Sequence, residues 1–217
     1  DTSTLTLTMV PVDDAFNDGN EAVSTPEDTV KTGNVIDELL TSGDGAITLS
    51  SFQVAGSSTI FTAGQTATIT GVGTITIASN GNYTFTPVAH FNGAVPTVTY
   101  SLSDGFGAPE TSTLDITVTP VNDAPAGADK TISVLATGSY SFSAADFGFT
   151  DPNDAPANTL QSVTITTLPD PVEGSLRLNG SAVTAGQVIA AADIPNLVYT
   201  PEPNQNGTTN DFTFKVT

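Results

Sequence analysis

Residues 112–124 read STLDITVTPVNDA, and residues 3–15 read STLTLTMVPVDDA; eight of the thirteen positions are identical at an offset of 109. Each copy is an alternating apolar run, Leu114, Ile116 and Val118 or Leu5, Leu7 and Met9, followed by a tail with proline and acids. A period of two turns one face of a strand to a core and leaves the Thr and Ser face wet. The proline stiffens the tail, and its Asp and Asn place oxygens there. A strand and its exit written twice mark the joints of a tandem array.

A second repeat lies inside the first. Asn82 to Asp104 reads NYTFTPVAHFNGAVPTVTYSLSD, and Asn196 to Thr217 reads NLVYTPEPNQNGTTNDFTFKVT, with Thr86-Pro87 on Thr200-Pro201, Asn92-Gly93 on Asn206-Gly207 and Tyr100 on Phe214 at an offset of 114. Both copies are a penultimate hairpin, and only the first is followed by its final strand, residues 112–119. The first sandwich is therefore expected over residues 1–122. Its residues 1–15 hold either the last strand and linker of a preceding repeat or a strand that pairs with this sandwich. The second is expected over 123–217, stopping before its last strand. The sequence begins and ends in such runs and reads as an excerpt of something longer.

Short alternating runs continue along the whole chain, among them Ile75 and Ile77, Tyr83 and Phe85, Ile132 and Val134, and Val163 and Ile165, punctuated by Asn-Gly turns at 80, 92, 179 and 206. Many short strands between turns predict an all-β protein of two tandem antiparallel β-sandwiches joined by a short Pro/Asp linker. Helix is expected only as single turns at 35–40 and 190–194.

The 217 residues carry 23 acidic and 4 basic side chains, a net charge of −19. That balance argues against nucleic acid or an anionic membrane and makes cations the natural partners. No apolar run approaches the ~18 residues that span a bilayer, so no membrane insertion is expected. With no cysteine, disulfides, thiolate metal sites and Cys nucleophiles are excluded. The one histidine, His90, has neither a serine motif nor a second histidine near it and reads as a surface residue. No nucleophile elbow or phosphate cradle appears, so an enzyme is not expected.

The acids sit at particular places. Glu27 and Asp28 lie in TPEDT, Asp104 in an SDG turn, Asn122 and Asp123 in the linker, Asp151 and Asp154 in FTDPNDAP, and Asp13 and Asp14 in the first tail. Calcium takes six to eight oxygens at roughly 2.3–2.6 Å, and a joint can draw them from the earlier domain, the linker and the later domain. These nine residues are the candidate metal ligands, with Asp104 grouped with Asn122 and Asp123. Asp44, Asp115 and Asp170 read as isolated, solvated turn or strand acids.

The stretch SDGFGAPETSTLDITVTPVNDAP resembles the closing part of a cadherin repeat. EDT, GTITIASNGNYTFTPVAHFNG, TVTYSLSDG and TPVNDAP together resemble the cadherin-like or Ig-like tandem repeats of giant bacterial adhesins of RTX type, exported by type I secretion. FGFTDPNDAPANTLQSVTITTLP with GSLRLNGSAVTAGQVIAAADIPNLVYTPEPNQNG is similar to another repeat of those adhesins. The resemblance implies Greek-key β-sandwiches in tandem, acting as calcium-binding extender modules on the cell surface. In that picture calcium rigidifies the junctions, neighbouring repeats of the same chain are the immediate partners, and host, surface or biofilm ligands are held by a distal domain. The fragment itself is expected to be monomeric. The alternative is that one domain, the second before the first, binds peptide or glycan itself. Two departures stand out: Val121 replaces an oxygen ligand of the cadherin linker, and the second domain has Lys130 in ADKTISV where the first has TPEDT.

Overall fold

An alternating run becomes a strand only where another run pairs with it, and in this chain most do. The computed structural model describes residues 2–10, 12–36, 40–154, 156–205 and 210–217. It is all-β, in two units, Asp1–Val121 and Asn122–Thr217.

Unit 1 holds β1 (Glu21–Pro26), β2 (Lys31–Asn34), β3 (Thr48–Val54), β4 (Ile60–Thr62), β5 (Thr66–Ile69), β6 (Gly73–Ile77), β7 (Asn82–Pro87), β8 (Gly93–Ala94), β9 (Val98–Ser103) and β10 (Glu110–Thr119). One sheet runs β1-β10-β9-β3-β4, with β8 also on β10; the other runs β2-β7-β6-β5. The chain crosses between sheets after β1, β2, β4 and β7, which gives the expected Greek-key connectivity. Strand β1 lies parallel on β10, from Glu21 beside Leu114 to Pro26 beside Thr119. The inward faces, Phe52, Tyr100, Leu102, Leu114 and Ile116 from one sheet and Ile75, Ile77, Tyr83 and Phe85 from the other, share one core. Burying one such side chain contributes about 1.5–3 kcal/mol.

Unit 2 holds β11 (Tyr140–Ser141), β12 (Ser162–Ile165), β13 (Gly174–Leu178), β14 (Ser181–Ala182), β15 (Val188–Ala190), β16 (Leu197–Pro201) and β17 (Phe214–Val216). Its sheets run β11-β16-β13-β14 and β15-β12-β17. Phe142, Phe147, Val163, Ile165, Leu176, Ile189 and Leu197 fill the core, with Phe147 edge-on to Phe214 at 4.9 Å. Two 3₁₀ turns occur, Ala144–Phe147 and Ala191–Asn196, the second at the expected single turn. Of the turn expected at 35–40, Val35 and Ile36 form a bend and residues 37–39 lie outside the described residues, as do Asn206 and Gly207.

The 114-residue offset carries β7 onto β16 and β9 onto β17. Beside β9 stands β10; among the described residues nothing stands in that place beside β17, which is a sheet edge. Two alternating runs form no strand. Residues 2–10 pair with nothing, and Leu5, Leu7 and Met9 are 83%, 85% and 94% exposed, so this run is not a strand of unit 1. Residues 130–135 likewise stay outside the sheets, although Ile132 packs on the unit 2 core.

Asp146, almost fully buried, holds the turn that follows β11. Its oxygens accept from Lys130 Nζ at 2.5 Å, Tyr140 Oη at 3.0 Å, and the Ser143 N–H and hydroxyl at 2.8 and 2.9 Å. Burial alone would raise this carboxyl, but the Lys130, Ser143 and Tyr140 donors outweigh it and hold it at about 2, below the ordinary 3.8. A depressed pKa stabilises fully above the unfolded value and is lost as pH falls from about 4 to 2. With Lys130 nearly half exposed, this is worth about 1–2 kcal/mol. Asp146→Asn is expected to lower the urea midpoint at neutral pH and to flatten its decline between about pH 4 and 2; an unchanged acid limb would count against this reading.

Candidate metal centre

The acids collect where a linker enters a sandwich. In unit 1 the β9–β10 turn brings Asp104 to the end at which β10 begins. The segment between β2 and β3 brings Ser42, Gly43, Asp44 and Gly45 to the same place, and the tail brings Asp13 and Asp14. One oxygen from each of Asp13, Asp44 and Asp104 lies within 4.8 Å of the others. Asp104 is buried; it accepts the Ser42 hydroxyl and, at 3.1 Å, the Phe106 N–H. The Ser42 bond first and the Phe106 bond next hold its carboxyl below the ordinary carboxylate range, so it stays charged into mild acid. The Asp14 N–H donates to Asp44 Oδ2 at 2.7 Å, which fastens the tail to the loop.

Two glycines make the seat. A Cβ at Gly107 would collide with the Asp13 carboxylate, and one at Gly43 with the Asp14 carboxylate; Gly107 also takes a positive φ of 64°. Only a residue without a side chain lets the carboxylates lie that close to both loops. Three carboxylates in a cradle of backbone form a hard, oxygen-only donor set, the kind calcium takes. Asp13, Asp44 and Asp104 fit as its holders.

Unit 2 repeats the arrangement on its own linker. The Asp123 N–H donates to Asp154 Oδ1 at 2.9 Å, as Asp14 does to Asp44. Asn158 ties the rest together: its Nδ2 reaches Asn122 Oδ1 at 3.0 Å and Asp154 Oδ2 at 2.7 Å, and its N–H reaches Asp151 Oδ2 at 2.6 Å. Asp151 is 6% exposed, and its Oδ1 has no hydrogen-bond partner. A buried carboxylate oxygen with nothing to accept is costly, and a cation at this point would relieve it.

The expected ligands thus divide differently from the grouping read in the sequence. Asp104 meets Asp13 and Asp44, within unit 1, and stands at the end of β10 where that strand begins. Glu27 stands where β10 ends: its Oε1 accepts the Val121 N–H at 2.5 Å and its Oε2 accepts from Asn92 Nδ2 at 3.3 Å. Ten residues of strand at about 3.4 Å each separate these ends. Asp28 Oδ1 accepts the His90 N–H at 2.9 Å and so joins the β1–β2 turn to the turn after β7. Asp115 accepts the Thr97 hydroxyl and Asp170 the Val172 N–H, both local roles. Asp44, read as solvated, is the correction; its flanking glycines in GDG were the available signal. Asn158 was also missed, and an amide in a loop gives no such signal.

The sequence of this sandwich is similar to a known family. Residues 29–119 match the cadherin-like domain family. The match runs from just after Glu27 and Asp28 to the last residue of β10, so the similarity covers β2 to β10 of the unit 1 sandwich, and β1 and unit 2 lie outside it. No curated protein matches the chain.

Unit 2 also contains a cavity of about 310 Å³ beside its core, lined by Lys130, Tyr140, Phe142, Tyr199, Asn210 and Phe212 among others. Asn210 Nδ2 donates to Tyr199 Oη at 3.0 Å on its wall.

Because Glu27 is buried and accepts from two donors, Glu27→Ala leaves the Val121 N–H and the Asn92 amide without that acceptor. A loss of about 1–3 kcal/mol is expected in chemical denaturation, with or without calcium. A loss seen only when calcium is present would give Glu27 a different role.

Proposed function

We propose that the chain is a pair of calcium-binding extender modules of a bacterial cell-surface adhesin, not an enzyme, lying outside the cell and holding a distal binding domain away from it. Calcium at the ends of such units stiffens a tandem array by removing the repulsion among carboxylates gathered there. The observation that carries this reading is the convergence of Asp13, Asp44 and Asp104 within 4.8 Å, all on the end where a linker arrives. The recurrence of the linker-to-acid bond from Asp14 and Asp44 to Asp123 and Asp154 supports it, as does the cadherin-like match over residues 29–119. Asn122, Asp151 and Asp154 hold the second ion, with Asp123 as a flanking acid of the same unit. The RTX-type adhesin and biofilm setting rests on the sequence resemblance.

A second reading is favoured by the cavity of unit 2. A space of about 310 Å³ with aromatic walls and polar groups at Lys130 and Asn210 has the size and character of a small-ligand site, so unit 2 is the place to seek a peptide or glycan.

Calcium titration by calorimetry, with melting and small-angle scattering in calcium and in EDTA, tests the main reading. Dissociation constants of ~10⁻⁴–10⁻³ M are expected, and a gain of about 2.7 kcal/mol when calcium exceeds the constant a hundredfold. Asp44→Asn and Asp104→Asn are expected to remove the unit 1 ion, whereas Asp115→Asn leaves it in place. Equal calcium responses in all three variants would sink the assignment. Gly107→Ala is expected to weaken the same ion by unseating Asp13, with no charge removed.

A further inference from the structure

Tyr100 is fully buried in β9, and its hydroxyl is crowded by oxygen. It lies 2.7 Å from Asp18 Oδ2, 3.1 Å from the Val35 carbonyl, 3.4 Å from the Gly19 carbonyl, and closer still to Glu21 Oε2. The phenol has one proton to donate, and ionised carboxylates and carbonyls have none. One of those four contacts can be an ordinary hydrogen bond from the phenol; the rest set oxygen against oxygen.

Asp18 sharpens the point. It is 6% exposed, its Oδ2 faces the hydroxyl at the centre of the group, and its Oδ1 has no hydrogen-bond partner. Nor is the segment free to swing into water. The Asp18 carbonyl accepts the Ser112 hydroxyl at 3.1 Å, and Asn20 Oδ1 accepts the Thr113 N–H at 3.0 Å, which pins residues 18–20 to β10. Burial, then the Glu21 and Asp18 carboxylates, push the Tyr100 phenol far up, so it remains a neutral oxygen donor.

We propose that Asp18, Glu21, the Tyr100 hydroxyl and the carbonyls of Gly19 and Val35 form a cation site inside unit 1. Two carboxylates, two carbonyls and a phenol are hard oxygen donors with two negative charges, and their irregular arrangement suits calcium rather than the strict octahedron of magnesium. A bound calcium gives Asp18 Oδ1 the partner it lacks and separates the two carboxylates. The site shares no residue with the Asp13, Asp44 and Asp104 group. It also ties the stretch before β1 to the segment after β2 and to β9, so the ion would act within the sandwich rather than between repeats. A proton shared by Asp18 and Glu21 is the competing way to neutralise the pair.

Terbium, which takes calcium's place and emits when excited through an adjacent tyrosine, tests this on the whole chain. There is no tryptophan and only four tyrosines, so ultraviolet excitation selects them. Tyrosine-sensitised emission is expected to rise on terbium titration and to be displaced by calcium. Asp18→Asn is expected to weaken it by about tenfold or more, the scale lost when even an outer partner of a metal ligand is removed. Tyr100→Phe is expected to abolish it. Asp104→Asn separates this site from the end cluster: emission lost there as fully as in Asp18→Asn overturns the proposal, and emission retained supports it. Emission equal in Asp18→Asn and the unsubstituted chain also overturns it, as does no sensitised emission at any terbium concentration. If circular dichroism shows Tyr100→Phe unfolded, Glu21→Gln takes its place with the same expected loss. Sensitised emission unchanged in Asp18→Asn, together with a higher melting temperature in EDTA, would assign the pair to a shared proton instead.

Discussion

Strand β10 is the constraint on which unit 1 depends. It pairs with β9 and β8 on one side and with β1 on the other, and its inward face, Leu114, Ile116 and Val118, lies wholly in the core. Its two ends set where chemistry can gather. Before it begins, the β9–β10 turn offers Asp104 and the Gly107 seat; where it ends, Glu27 clamps the Val121 N–H as the chain leaves. A ladder of backbone hydrogen bonds leaves no freedom in that spacing.

The same words without a partner behave differently. Residues 3–10 repeat the alternation of residues 112–119, with four of the eight residues identical, yet Leu5, Leu7 and Met9 stand in water. Burial and pairing stabilise a strand together, and alternation supplies only the capacity for both. Residues 130–135 make the same point in unit 2, where the apolar Ile132 reaches the core with no ladder.

The linkers show how acids become a site. An Asp or Asn in a loop is an ordinary solvated group until a neighbour fixes it. Here the fixing is done by backbone: the N–H of Asp14 on Asp44, and the N–H of Asp123 on Asp154. Each linker is thereby laid onto loops of the sandwich that follows it in the chain. Glycines at 43 and 107 let the carboxylates of Asp14 and Asp13 lie close against those loops.

Much of this was legible beforehand. Period-two alternation with Asn-Gly turns gave an all-β chain, the two offsets gave tandem sandwiches, and the acidic motifs named most of the residues that converge. The grouping was not legible. The sequence groups Asp104 with the linker after β10, but a hairpin puts it at the other end of that strand, beside Asp13. Asp44 looked solvated because nothing local marks it apart from its flanking glycines, and Asn158 because an amide becomes a bridge only through the loops it joins. Asp18 and Glu21 lie some eighty residues before Tyr100 in the chain and meet it only when β9 is buried. By itself the sequence determined periodicity, charge and repeat, since each is a property of neighbours along the chain. The tertiary structure alone decided which oxygens face one another, because that depends on strand order and register across the sheets.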